Sequence, residues 1–289
     1  MRPTTQQPFM SADPSRVTAV VCTRDCEASI EACLRSLRDN GVGEIIVVDA
    51  SSSDQTREIA GLFADEVLTD RGMGLGTARN LGIRRATLDF ILNCGPDNVM
   101  PPGSIRGLLE AKETGGWAGV SAMTLVEGRG YASWASRRYK IARFTPGERS
   151  VIGTPTLFDT AMIQRHPFDD RATYSDDAEL CERWTSVFGA RFAIADVVAH
   201  EIGQNEIPSL ITRFVSYGRS DHETFRRSRD SWSRRRRMRS VLHPLRVDFL
   251  EPFARMPFPA DFVAVPFLAF ITFTRYASWL REAWTDRAR

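Results

Sequence analysis

The stretch from Gly72 to Asn98, GMGLGTARNLGIRRATLDFILNCGPDN, constrains the fold more than any other part of the chain, because it reads as Gly-rich turn, helix, strand and acidic strand end without a break. Gly72, Gly74 and Gly76 give a backbone free of side-chain obstruction. Ala78, Leu81 and Gly82 then fall at i, i+3 and i+4, one face of a helix. The apolar run Phe90-Ile91-Leu92 predicts a buried strand that leads to Asp97. In open α/β sheets ligands bind beyond the carboxyl ends of strands, so Asp97 is a candidate site residue.

The flanking sequence repeats this alternation. Val17 to Val21 predicts a first buried strand, and Ile30, Cys33, Leu34 and Leu37 share one face of a helix that Gly41 closes. Glu44 to Asp49 is apolar nearly throughout, as parallel strands covered on both faces are. Ser51 to Asp54 supply caps for the next helix, whose apolar residues are Ile59, Leu62 and Phe63. Glu66 to Leu68 is a short third strand, and residues 117–126 a later one. Strands alternating with helices predict βαβ units and a mainly parallel sheet. Glu127 to Arg149 loses periodicity and reads as a long functional loop or acceptor-facing surface. Gly153 to Phe158 resumes a strand. Asp176-Asp177 then start a helix whose predicted apolar side is Leu180, Trp184, Val187 and Phe188. Two acids in a first turn complement the positive helix end.

Composition narrows the function classes. A net charge of +2 over 289 residues gives no overall basicity for nucleic acid. The five cysteines, 22, 26, 33, 94 and 181, show no C-x-x-C spacing, which argues for a reduced, cytoplasmic setting over a zinc knuckle or disulfide framework. Residues 1–16 read as a disordered start without an export signal. Arg226 to Arg239 holds eight arginines against one acid, Asp230. The run has few interleaved aromatics, and its place before the apolar stretch Phe262 to Thr274 suits anionic lipid better than RNA. Pro257, Pro259 and Pro266 predict an irregular hairpin there rather than a long helix, with Phe262, Val265, Phe267, Phe270, Ile271 and Phe273 entering a membrane interface. Packing of this tail on the rest of the chain is the alternative.

From about Val17 to Phe188 the chain resembles the family 2 glycosyltransferases of the GT-A fold, which pass a sugar from a nucleotide diphosphate to an acceptor with inversion. The likeness rests on ordered motifs: Val20-Val-Cys-Thr23-Arg-Asp25, Val47-Val-Asp49 with Ser52, Asp54 and Thr56, Ala78-Arg79-Asn80-Leu-Gly82, Gly153 to Phe158, Pro167-Phe168-Asp169, and Asp176-Asp177 to Arg183. It implies a Rossmann-like α/β catalytic domain over residues 17–205, a mainly parallel sheet flanked by helices, followed by a helical C-terminal extension over 206–289. Two motifs depart from the family pattern. The metal-binding D-x-D triplet reads Gly95-Pro96-Asp97, and the Glu-Asp pair of the catalytic helix reads Asp176-Asp177.

The resemblance implies a hexosyl-transfer site with Asp177 as base and Asp176 beside it, and a nucleotide-sugar pocket of Thr23, Asp49, Arg79 and Asp97. It also implies a Mg²⁺ or Mn²⁺ ion on Asp97 with His200, the ion needing phosphate oxygens or other ligands because one carboxylate of the triplet is missing. The expected donor is a UDP-sugar and the acceptor a lipid-linked or polysaccharide hydroxyl. An anionic membrane surface and a second copy of the chain complete the expected partners. The competing reading is a catalytically degenerate nucleotide-sugar-binding protein. A dinucleotide dehydrogenase is excluded by Arg79, which stands where a small residue must pack helix against strand.

Overall fold

The computed structural model describes residues 12–170, 176–203, 206–257, 259 and 261–287. In chain order the elements are β1 (Val17–Thr23), α1 (Glu27–Asp39), β2 (Glu44–Asp49), α2 (Thr56–Ala60), β3 (Glu66–Thr69), α3 (Leu75–Arg85), β4 (Phe90–Cys94), β5 (Asn98–Val99) and α4 (Ser104–Gly115). There follow β6 (Gly119–Val126), α5 (Tyr131–Arg143), β7 (Gly147–Arg149), β8 (Thr156–Asp159), α6 (Thr160–Arg165), α7 (Asp176–Phe188) and β9 (Phe192–Glu201). The C-terminal part is α8 (Ile207–Ser228), α9 (Arg234–Val241), a π-helical turn (Leu245–Leu250), α10 (Glu251–Arg255) and α11 (Val265–Arg287).

The strands form one sheet in the order β3-β2-β1-β4-β8-β6-β9-β5, with β7 paired to β9. Its first half, β3 to β4, is wholly parallel. Beyond β4 the sheet is mixed, because β8 runs antiparallel to both β4 and β6 while β9 returns parallel to β6. Strand alternation divides the core. Val17, Ala19 and Val21 of β1 pack against Ile30, Leu34 and Leu37 of α1 and Ile105 and Leu108 of α4. On the opposite face Val20 meets Ala78 and Ile83 of α3, and Leu180 and Trp184 of α7 complete that layer. Gly82 permits this closeness, since a Cβ there would lie 2.5 Å from a Val20 methyl.

Several expectations are corrected. Within 127–149 the chain forms helix α5, not a loop; its buried residues are Ser133, Ala135, Ser136, Tyr139, Lys140 and Ala142, too small or polar to give an apolar stripe. On α7, Leu180 and Trp184 are buried but Val187 and Phe188 are exposed, and Cys181 takes the remaining core position. Leu62 lies beyond the short α2 and is exposed. Of the start, residues 1–11 lie outside the described residues, whereas Pro14–Arg16 form a 3-10 turn capped by the Asp13 side chain. The apolar tail is the 23-residue helix α11, not an irregular hairpin. Pro266 falls in its first turn, where the missing N–H would have had no partner anyway.

Helix α11 runs alongside α8 in the same sense, since Phe267 and Ile271 cluster with Leu210 and Phe214 toward the two N-terminal ends and Arg226 pairs with Asp286 toward the two C-terminal ends. A third apolar cluster joins Ala135 and Tyr139 of α5 to Leu210 and Phe214 of α8 and Phe267, Leu268 and Ile271 of α11. Phe267 and Ile271, read from sequence as membrane-facing, are therefore core residues.

Candidate functional site

The parallel register of β1 and β2 sets Thr23 beside Asp49 at the carboxyl end of the sheet. Thr23 Oγ1 donates to Asp49 Oδ1 at 3.1 Å, and the Ser52 amide donates to Asp49 Oδ2 at 3.0 Å. Asp49, fully buried, thus holds the loop after β2 in a tight turn. Asp25 bonds to two serines across the two loops, its amide donating to Ser52 Oγ and its Oδ1 accepting from the Ser53 amide. Asp70, just past β3, accepts from the Gly72 amide at 2.9 Å through Oδ1, while its buried Oδ2 has no partner among the described residues. Gly74 then starts α3 at φ +117°, a conformation that favours glycine.

Helix α3 turns Arg79, expected in the nucleotide-sugar pocket, toward the start of α7. The side chain is buried, and Nη1 lies 2.6 Å from Asp176 Oδ2 and 2.8 Å from Asp177 Oδ1. Its guanidinium sits 5.0 Å from the Phe168 ring centre. A cation between two adjacent acids lets both sit at the start of α7. Asp176 is buried, whereas about a quarter of the Asp177 side chain is exposed. Burial raises the Asp177 carboxyl to about 6, with Arg79 opposing and Asp176 reinforcing the shift.

Asp177 faces a cavity of about 290 Å³ that Asp97 also lines. Around it stand Lys140 from α5, Glu201 from β9 and Arg213 from α8, with Leu210, Phe214 and Phe267 forming an apolar wall. Lys140 Nζ donates to Thr124 Oγ1 at 2.9 Å and forms a short ion pair with Glu201, whose other carboxylate oxygen is held by Arg213. Burial and the neighbouring Glu201 charge push Asp97 up to about 6. Burial would raise Glu201 too, but Lys140 and Arg213 prevail and hold it well below the usual carboxylate range.

The expected pairing of Asp97 with His200 as metal ligands is not what the strands produce. His200 and Glu201 are consecutive on β9 and so turn to opposite faces. Glu201 joins Asp97, and His200 Nδ1 instead lies 2.5 Å from Glu127 Oε1. Among the described residues no group of three or more His, Cys, Asp and Glu side chains is arranged to hold a metal ion. Gly95 cannot be read as a silent vacancy either, for a Cβ there would lie 2.8 Å from Asp97 Oδ1, so the Asp97 side chain occupies that space.

Sequence reading missed Asp70, Lys140, Glu201 and Arg213. Asp70, placed between a strand and a Gly-rich turn, carried a signal; Glu201 carried one in adjoining His200. Lys140 and Arg213 carried none, because each is one basic residue in a helix rich in them.

Similarity to known proteins agrees with this geometry. Residues 18–171, more than half of the chain, match the family model described as Glycosyl transferase family 2. A protein of Bacillus subtilis (strain 168) described as "Putative glycosyltransferase EpsH" is 33% identical over 100 residues, which are 32% of this chain and 29% of that protein. Among solved structures, the TarS 1–349 complex of S. aureus with UDP-GlcNAc superimposes with TM-score 0.53 at 15% identity, covering 91% of this chain and 89% of that one. The mannosyltransferase PcManGT from Pyrobaculum calidifontis, in complex with GDP-Man and Mn²⁺, gives TM-score 0.58 at 18% identity, covering 90% and 75%. These likenesses establish the GT-A-like fold, a mixed α/β sheet with flanking helices and a helical C-terminal region. Because that family model spans more than half of its length, the chain belongs to glycosyl transferase family 2.

Proposed function

We propose that this glycosyltransferase moves a sugar from a nucleoside diphosphate, a UDP-sugar by preference, to an acceptor hydroxyl with inversion at the anomeric carbon. One observation carries the reading: Asp97 and Asp177, far apart in sequence, line one cavity together with Lys140 and Arg213. In this reaction the acceptor oxygen attacks the anomeric carbon as the bond to the diphosphate oxygen breaks. Asp177 accepts the hydroxyl proton, and its raised pKa brings its basicity closer to the working pH. Thr23 and Asp49 take the nucleoside at the ends of β1 and β2, with Asp70 and the Gly72–Gly74 turn beside them.

The departing diphosphate needs positive charge. Among the described residues that line this cavity, Asp97 is the carboxylate without a cationic partner, because Glu201 is neutralised by Lys140 and Arg213 and Asp177 is paired with Arg79. That donor set does not fit a metal held by the protein, so the reading assigns the charge to Lys140 and Arg213. Arrival of an anion beside Asp97 favours its protonation further, leaving the cluster net positive. The apolar wall of Leu210, Phe214 and Phe267 suits an acceptor carrying a hydrocarbon segment, such as a lipid-linked sugar.

A thermal-shift titration with UDP and UDP-sugars, in EDTA and in Mn²⁺, tests the donor site. The expected result is a stabilisation that persists in EDTA and is lost in Lys140→Met, since a ligand that binds the native state raises the midpoint by mass action. No shift with any nucleoside diphosphate at millimolar concentration would refute it. Binding without hydrolysis or transfer would instead favour a nucleotide-sugar-binding protein.

A further inference from the structure

Helix α11 is built inside out. Among the residues it exposes, Pro266, Phe270, Phe273, Ala277, Leu280 and Trp284 form an apolar stripe at alternating spacings of four and three, bordered by Ala269 and, toward the C-terminal end, by the exposed polar residues Arg281, Thr285 and Asp286. Phe273 is 72% and Trp284 78% exposed. The face it buries carries Thr272, Arg275 and Ser278 among its apolar residues. Arg275 holds Asp221 through Nε at 2.6 Å and Nη2 at 2.9 Å, and Asp248 through Nη1 at 2.7 Å. A helix packed for water on all sides would show the reverse distribution. The stripe runs about 27 Å at 1.5 Å per residue.

Beside it lies α9, whose eight residues include five arginines and none that is buried. Arg236 pairs with Glu182 of α7, while Arg234, Arg235, Arg237 and Arg239 make no ion pair among the described residues. The end of α9 is tied to α11 by Tyr276, whose hydroxyl donates to the Val241 carbonyl at 2.7 Å. Met238 of α9 and Leu242 just after it are also exposed. An apolar stripe flanked by uncompensated cations complements an anionic lipid bilayer, where acyl chains receive the first and head groups the second.

By length and composition Phe262–Asp286 would also pass for a membrane span. Its ion-paired Arg275 and the face packed against α5 and α8 keep it on the body of the protein.

We infer that α11 and α9 form a surface by which this protein lies on an anionic membrane, with Phe273, Leu280 and Trp284 in the acyl boundary and the α9 arginines at the head groups. Phe267, on the buried side of the same helix, lines the cavity that holds Asp177, so the membrane would lie against the outer side of the acceptor wall. The surface stands apart from the transfer reading, because its observations involve no catalytic group.

The test is flotation of the full chain with phosphatidylcholine vesicles with and without phosphatidylglycerol. Binding is expected with the anionic vesicles at low salt and should fall several-fold at high salt. Phe273→Glu combined with Trp284→Glu should reduce it at least tenfold while leaving Tm and nucleotide binding unchanged. Arg234→Gln with Arg235→Gln and Arg237→Gln should remove the preference for anionic lipid. Failure to float with anionic vesicles at low salt overturns the inference, as does flotation indifferent to the Phe273→Glu and Trp284→Glu changes. A wild-type dimer in sedimentation that Phe273→Glu dissociates, with no vesicle binding, would assign the stripe to a second copy instead.

Discussion

Asp177 and Arg79 show how two neighbouring side chains divide positioning from chemistry. Asp177→Asn removes the proposed base but keeps the shape, so kcat should fall about 10²–10⁴-fold with nucleotide affinity nearly unchanged, measured by transfer assay and calorimetry. Asp176→Asn should cost less. The base works only when ionised, so activity should rise with pH through about 6 and fall away below it. Arg79 lowers the Asp177 pKa, so Arg79→Met should carry this acid limb to higher pH. The same change should lower Tm, because it strands the buried Asp176 carboxylate without its cation. A pH-rate profile identical to wild type would show that the ion pair does not tune the base. Asp49→Ala should weaken nucleoside binding, and it should also loosen the Ser52 turn that Asp49 holds.

At the scale of elements, the close approach of α8 and α11 depends on Gly218. A Cβ at that position would lie 2.2 Å from the Arg275 carbonyl oxygen, a backbone atom that cannot swing aside. Gly218→Ala should therefore part the two helices and cost roughly 1–3 kcal/mol in chemical denaturation. Because Arg213 and Phe267 on these helices line the cavity, transfer should fall as well. An unchanged midpoint and activity would contradict the packing. Helix α5 contributes in a different manner. Its buried face is made of small and polar residues around Tyr139 and Lys140, so its core contact comes from close approach and ion pairing rather than a broad apolar stripe.

Across the whole molecule, Asp248 joins the C-terminal helices to α5. Fully buried, it accepts from Tyr139 Oη at 2.7 Å and pairs with Arg143 at 2.5 Å and Arg275 at 2.7 Å. Asp248→Asn would leave the buried Arg275 with Asp221 alone and take a carboxylate from the part-buried Arg143, a loss of about 1–3 kcal/mol that urea denaturation should detect. The cavity spans this junction, with Asp97 and Asp177 from the sheet domain and Arg213 and Phe267 from the C-terminal helices. The boundary expected near residue 205 thus separates composition classes, while the site is shared across it.

The parallel half of the sheet, its helices and the Thr23–Asp49 pairing were legible in the sequence because each depends on short-range signals: β-branched runs, helical spacing and strand register. Asp177 and Asp97 were legible through ordered motifs. Tertiary structure alone decided their surroundings. The partners of Arg79 lie almost a hundred residues away, and Glu201 faces Asp97 instead of His200 because a strand turns consecutive side chains to opposite faces. Helix α5 was invisible because small and polar residues leave no hydrophobic period, and α11 was misjudged because Pro266 ends a helix only in its interior, not in its first turn. Sequence fixes such local preferences, whereas which charge neutralises which, and which apolar face is left uncovered, depends on contacts between segments distant along the chain.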